Sequence, residues 1–343
     1  MSLNMVTFLI IIWLFAGNFK KKQSPPTVDN KSVVGTIFSF NLIYSLLKLY
    51  RLNGKQSADN SLVLFESNNA EVVFDFSKNL ISDDLFISDH LKKHRKPESL
   101  EELGYYLAGL IEADGHIRAG EINIAFHMRD ASLAYYIKKR IGYGSVWYDK
   151  KSNCYYYGVF HKIGREKLLN LINGKLRGPF KIEQLKKHNY DKEFNVVILP
   201  PALYNLLDNH WLAGFADADA SFIIYFTYSI SHKNKLKLKL VFSIFVEKNL
   251  DYLLLQIKET FGGYLIKRKN TDNFYYSSGS FLNAKKVIDY FDLFHLNSTK
   301  YINYIKWRKT YRIIQRKEHL TIHGINKIRA IKHTGLDNTQ NII

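Results

Sequence analysis

The chain reads as an α+β protein built from two pseudo-symmetric halves. A sequence unit that occurs twice at a fixed spacing predicts this. So does the order of helix-like and strand-like stretches after each copy, which is the same both times. A third observation concerns the partner. The 343 residues carry 49 Lys and Arg against 31 Asp and Glu, a formal charge of +18. That surplus suits a polyanion, nucleic acid before an anionic membrane surface.

Residues 1–96 read as a poorly patterned extension, in which Asn, Ser and Lys clusters interrupt short apolar stretches. The apolar run Met5–Ala16 is shorter than the ~20 residues that span a bilayer. Its positive charges, Lys20 to Lys22, follow the run, whereas a signal peptide carries them before it. No stable membrane association is expected. One cysteine, Cys154, excludes a disulfide framework and a cysteine-built zinc site. Abundant Lys, Asn, Ile, Tyr and Phe, all with AT-rich codons, suit an AT-rich organellar genome such as a fungal mitochondrial one.

The repeat begins at Tyr105, with Leu107-Ala-Gly-Leu-Ile-Glu-Ala-Asp-Gly115, and returns as Leu212-Ala-Gly-Phe-Ala-Asp-Ala-Asp-Ala220. The matching acids Asp114 and Asp219 are 105 residues apart. Strand-like residues follow each copy (Glu121–Phe126; Leu236–Phe245), then a helix-like stretch (Ala131–Ile141; Leu250–Phe261) and a glycine turn. A second aromatic strand pair comes next (146–160; 264–281), and one helical stretch closes each unit. The predicted order in each half is αββαββα. The first half spans 97–199 and the second 200–317, joined near Leu199-Pro200-Pro201, and a basic tail covers 318–343.

The repeated unit departs from ordinary core in two ways. Gly109 and Gly214 each cost a helix ~1 kcal/mol relative to Ala, but they let two backbones approach closely. Asp114 and Asp219 end their helices, where the macrodipole disfavours a carboxylate by ~0.3–1 kcal/mol. Bringing the two ends together adds like-charge repulsion. A divalent cation between them reverses both effects. One such acid is an ordinary surface feature. Two in register point to a metal site.

Basic residues gather at predicted strand edges. Lys235, Lys237 and Lys239 alternate with Leu236, Leu238 and Leu240, which as a strand gives one charged and one apolar face. Lys150, Lys151, Lys267, Arg268 and Lys269 fall at strand ends or hairpin turns, and Arg118 follows the first motif. The many tyrosines (Tyr155 to Tyr157, Tyr275, Tyr276) divide between core and an outward face. No Ser-His-Asp arrangement, Walker loop or dinucleotide fingerprint is present, so acyl transfer and nucleotide-driven work have no support.

At the two motifs the chain resembles the LAGLIDADG family of homing endonucleases, in its form with two motifs on one polypeptide, over roughly residues 97–315. The resemblance implies a monomer whose motif helices meet at the interface and whose antiparallel sheets form a DNA-binding saddle. It implies Mg²⁺-dependent hydrolysis of double-stranded DNA at a long recognition site by an intron-encoded mitochondrial protein. The alternative on the same fold is an RNA maturase that assists splicing of a group I intron. The eighth motif position supplies the metal carboxylates, here Asp114 and Asp219, with the carbonyls of Ala113 and Ala218 beside them. Lys181 and Lys300 match the family's lysines near the metal, and Glu247 matches a residue that holds the attacking water. For the first half His127 and Met128 stay open. Two positions depart from the pattern. Glu112 stands for the usual Asp, at a position that is not the main ligand. Ala220 replaces the final Gly, and would be strained if the backbone there took a positive φ.

Overall fold

The computed structural model describes residues 85–231, 235–246, 250–268 and 273–333, all within one compact unit. Met5–Ala16, most of the N-terminal extension, Glu247, Lys269 and residues 334–343 lie outside the described residues. Among the described residues, no helix is long and apolar enough to cross a membrane.

Helix α1 (Leu100–Asp114) starts at a capping box. The Ser99 hydroxyl accepts from the Glu102 amide, and the Glu102 carboxylate accepts from that of Ser99. Strands β1 (Gly115–Arg118) and β2 (Glu121–His127) follow, then α2 (Ala131–Ile141), β3 (Ser145–Asp149) and β4 (Cys154–Val159). The second half repeats this as α6 (Trp211–Asp219), β5 (Ala220–Tyr228), β6 (Leu236–Phe245), α7 (Asp251–Phe261), β7 (Tyr264–Lys267) and β8 (Phe274–Ser277). The two antiparallel sheets share one order, β1-β2-β4-β3 and β5-β6-β8-β7. Gly142 and Gly262, which end α2 and α7, take φ of 81° and 76°, open to glycine at little cost.

Each half closes with more than the single helix expected. The first ends in α3 (Lys162–Ile172), α4 (Pro179–Lys187) and the short α5 (Tyr190–Phe194). The second ends in α8 (Phe281–Phe291) and α9 (Lys300–Gln315). The break before α4 is set by Gly178 and Pro179, since proline at the first helical position starts a helix and cannot continue one. A further helix, α10 (Ile322–His333), buries Ile325 and Ile328, so the tail is folded as far as 333.

Alternation sorts the sheet residues. Along β2, Ile122, Ile124 and Phe126 are buried and the residues between them are more open. Behind the second sheet, Phe222 lies 5.4 Å from Phe291 and 5.6 Å from Trp307, ring centre to ring centre. Tyr157 and Tyr276 are core, whereas Tyr156 stacks on Trp147 and Tyr275 on Phe245 on the opposite faces.

Residues 85–96, assigned above to the extension, pack on the second half. The Ile87 amide donates to Gln315 Oε1 at 2.9 Å, and the Tyr311 hydroxyl to the Leu85 carbonyl at 2.8 Å. The Arg95 amide donates to His295 Nδ1 at 2.6 Å. Buried Arg308 spans the Ser88 carbonyl and the Asp292 carboxylate.

The halves meet where α1 crosses α6. A Cβ on Gly109 would lie 1.9 Å from the Trp211 carbonyl oxygen, and one on Gly214 1.9 Å from that of Tyr106. The sign of a substitution therefore tests the seam. Intrinsic propensity favours Ala over Gly in a helix by ~1 kcal/mol, whereas overpacking costs ~1–3 kcal/mol or more. Gly109→Ala and Gly214→Ala are each expected to lower the urea midpoint. A raised midpoint would mean that the helices do not touch there.

Candidate active site

Asp114 and Asp219 end α1 and α6, five residues beyond their seam glycines, and both are partly exposed. The close parallel contact of α1 and α6 at Gly109 and Gly214 brings these ends to the same side of the seam, where Lys300 lies beside the second of them. The Lys300 ammonium donates to the carbonyl of Ala218. Burial pushes the Lys300 pKa down, and Asp219, Asp217, Asp114 and Asp130 oppose that shift. In the first half, buried Lys181 donates from Nζ to the Gly115 carbonyl at 2.5 Å, not to that of Ala113.

These groups fit a hard divalent cation. Two carboxylates and neighbouring backbone carbonyls offer oxygen alone, and the Lys300 ammonium already lies among them as a positive charge. Among the described residues no three His, Cys, Asp or Glu gather as a metal cluster. A cation on this pair would keep several waters, as Mg²⁺ does. Ala220 has φ −91° and ψ 158°, close to the −80° and 145° of Gly115. Both are extended, so alanine carries no strain there.

The sixth motif position has a role that sequence reasoning missed. Glu112 and Asp217 are buried inside apolar helices. Glu112 accepts the amides of Arg177 at 3.0 Å and Gly178 at 2.5 Å, and the Trp211 indole at 2.6 Å. Burial pushes its pKa up to about 7, although every one of these donors favours the ionised form. Asp217 accepts the amides of Asn297 at 2.7 Å and Ser298 at 3.1 Å, the Ser298 hydroxyl, and the Tyr106 hydroxyl at 2.7 Å. Burial raises its pKa against the same kind of donors. The signal was present: an acid twice at the same place in an apolar helix, with an aromatic residue twice just ahead of the motif.

Lys237 and Lys239 pair with Thr227 and Tyr225 on the open face of the second sheet. Lys235 is not in the strand. It occupies the preceding turn at φ 54°, its carbonyl accepting from the Ser229 amide, so the alternating face carries two lysines and not three. Lys150 and Lys151 form the exposed β3–β4 turn, Arg118 ends β1, and Lys267 and Arg268 are exposed at the end of β7. Beside the second acid, Lys300, Asn303, Lys306 and Lys332 line a cleft along β5. The tail helix thus adds a lysine to that cleft.

Two four-stranded antiparallel sheets on a pair of crossed helices, with an acid at each helix end, define the two-motif nuclease architecture. The sequence profile described as LAGLIDADG endonuclease matches residues 212–311. A Schizosaccharomyces pombe protein, the uncharacterized cox1 intron-2 37.2 kDa protein, is 46% identical over 249 residues, covering 71% of this chain and 76% of that one. A Neurospora crassa probable intron-encoded endonuclease 4 is 28% identical over 230 residues, where the match covers 63% of this chain but only 41% of the relative. Meganuclease I-SmaMI, solved bound to uncleavable DNA, shares the fold at a TM-score of 0.54 and 23% identity, over 68% of this chain and 99% of that one. The chain belongs to the LAGLIDADG endonuclease family.

Proposed function

We propose that this chain is a mitochondrial, intron-encoded homing endonuclease that binds double-stranded DNA as a monomer and hydrolyses one phosphodiester in each strand at a long site. The observation that carries this reading is the close crossing of α1 and α6, each ending in an acid, with Lys300 donating to the Ala218 carbonyl beside Asp219.

Asp114 and Asp219 would hold Mg²⁺, with the carbonyls of Ala113 and Ala218 beside them. A divalent cation there supplies Lewis-acid polarisation of the phosphate and lowers the pKa of water. Lys300 and Lys181 hold positive charge beside the reacting phosphates, where it stabilises the extra negative charge of the transition state. Both ammoniums are anchored to backbone carbonyls, which fixes their place before DNA arrives. Lys237, Lys239, Lys150, Lys151, Arg118, Lys267 and Arg268 contact phosphates and give affinity. The side chains on the sheet faces reach base edges in the major groove and give specificity.

Asp114→Asn and Asp219→Asn should each lower double-strand cleavage by about 10²-fold or more, the scale of several kcal/mol of lost charge stabilisation. DNA binding should persist in both, measured by gel shift beside a linearisation assay on a plasmid bearing the intron-insertion junction. Wild-type cleavage by both variants would overturn the assignment of the acids. Replacing Lys237 and Lys239 together with Gln should flatten the slope of log affinity against log salt by ~0.9 per lost phosphate contact. An unchanged slope would place this face in bulk water.

A further inference from the structure

The catalytic reading leaves unused the buried side chains of Tyr106, Glu112, Trp211 and Asp217. Each aromatic residue reaches across the seam. Tyr106, on α1, donates to Asp217 on α6, and Trp211, on α6, donates to Glu112 on α1. Each carboxylate also clamps the peptide segment that leads into a lysine-bearing helix of its own half. Asp217 holds Asn297 and Ser298, and the Lys300 amide donates to the Ser298 hydroxyl at 3.1 Å. Glu112 holds Arg177 and Gly178, three residues before Lys181. The phenol oxygen of a tyrosine stands farther from its backbone than an indole Nε1. The longer Glu112 therefore meets the shorter donor, and the shorter Asp217 the longer one.

Two more contacts cross the seam in the same sense. Asp130, from the first half, accepts the Thr299 amide at 2.6 Å, immediately before Lys300. Gln256, from the second half, accepts Arg177 Nε at 2.8 Å. Both lysine segments are thus braced by side chains that the opposite half supplies. A segment needed only for stability could be braced within its own half. Here burying two carboxylates is tolerated, at a desolvation cost that only full hydrogen bonding offsets.

We infer that the lysine of each half is positioned from the other half: Tyr106 acts through Asp217 on Lys300, and Trp211 acts through Glu112 on Lys181. These four are positioning residues. If each lysine serves the strand cut in its own half, a defect on one side of the seam slows cleavage of the strand served by the other side. The inference rests on the hydrolysis proposed above for its kinetic consequence, but not for its structural one.

The test uses the full chain carrying Tyr106→Phe or Trp211→Phe, each of which removes one donor and keeps the ring. Single-turnover cutting is followed on a duplex with the two strands labelled differently, and Lys300→Ala and Lys181→Ala identify which strand each lysine serves. Y106F should slow the strand slowed by K300A, and W211F the strand slowed by K181A, by about 10–100-fold as for other orienting partners. The second strand should keep the wild-type rate, with DNA affinity unchanged. A merely structural role lowers both strands together and leaves their ratio alone, which would overturn the inference. So would slowing of the strand that belongs to the mutated half. Amide hydrogen exchange gives an arm independent of cleavage. Y106F should speed exchange at Asn297 and Ser298 and leave Arg177 and Gly178 unchanged, and W211F should do the reverse. Absence of that crossed pattern overturns the inference. The crossed pattern in a chain that cuts no DNA would instead overturn the hydrolysis reading and leave the bracing in place.

Discussion

Everything in this molecule depends on how closely two helix backbones approach at Gly109 and Gly214. No other side chain fits, because a single Cβ would sit within 2 Å of a carbonyl oxygen of the facing helix. The approach brings the C-terminal ends of α1 and α6 together and stacks two unfavourable effects: two negative macrodipole ends and two carboxylates. The fold accepts that cost at one place. It offsets part of the cost with the partly buried ammonium of Lys300, which donates to the Ala218 carbonyl and whose desolvation the charges of Asp219, Asp217, Asp114 and Asp130 oppose. On the proposed reading, a divalent cation between Asp114 and Asp219 would relieve the repulsion that remains.

The sixth-position acids make the seam specific as well as close. A buried carboxylate without donors would be several kcal/mol worse than an apolar residue. Glu112 and Asp217 are each met by two backbone amides and by an aromatic donor from the opposite helix. Sliding one helix along the other would break these contacts while leaving the apolar packing partly intact. The polar contacts therefore fix the register that packing alone leaves loose. The same contacts connect the helix crossing to the segments that carry Lys181 and Lys300, so the register of the seam and the placement of the ammoniums are one constraint.

Local pattern made much of this legible in the sequence. The doubled motif located both helices and both terminal acids, and the strand-like stretch Leu236–Phe245 matches β6 at its observed ends. What was not legible depends on contacts between distant residues. Tyr106 and Asp217 are 111 positions apart, and nothing periodic in either neighbourhood announces their hydrogen bond. Glu112 looked like a tolerated exchange because its partner Trp211 lies on the other helix. Lys235 looked like part of the strand because alternation continues into the turn, where a positive φ ends the ladder. The strap at residues 85–96 lacked a pattern because its contacts use side chains of α9 against strap backbone, as with Tyr311 and Gln315. The extra helix α4 was hidden by length, since a nine-residue helix carries too few turns for a clear stripe.

If the crossing builds one oxygen-rich cation site from the ends of both motif helices, a bound ion must touch both acids. Anomalous diffraction from crystals of the full chain with Mn²⁺ and a duplex spanning its site tests this most directly. An ion peak is expected within about 2.0–2.3 Å of carboxylate oxygens of both Asp114 and Asp219, the range for such cations. An ion bound away from both acids, or held by only one of them, would contradict it.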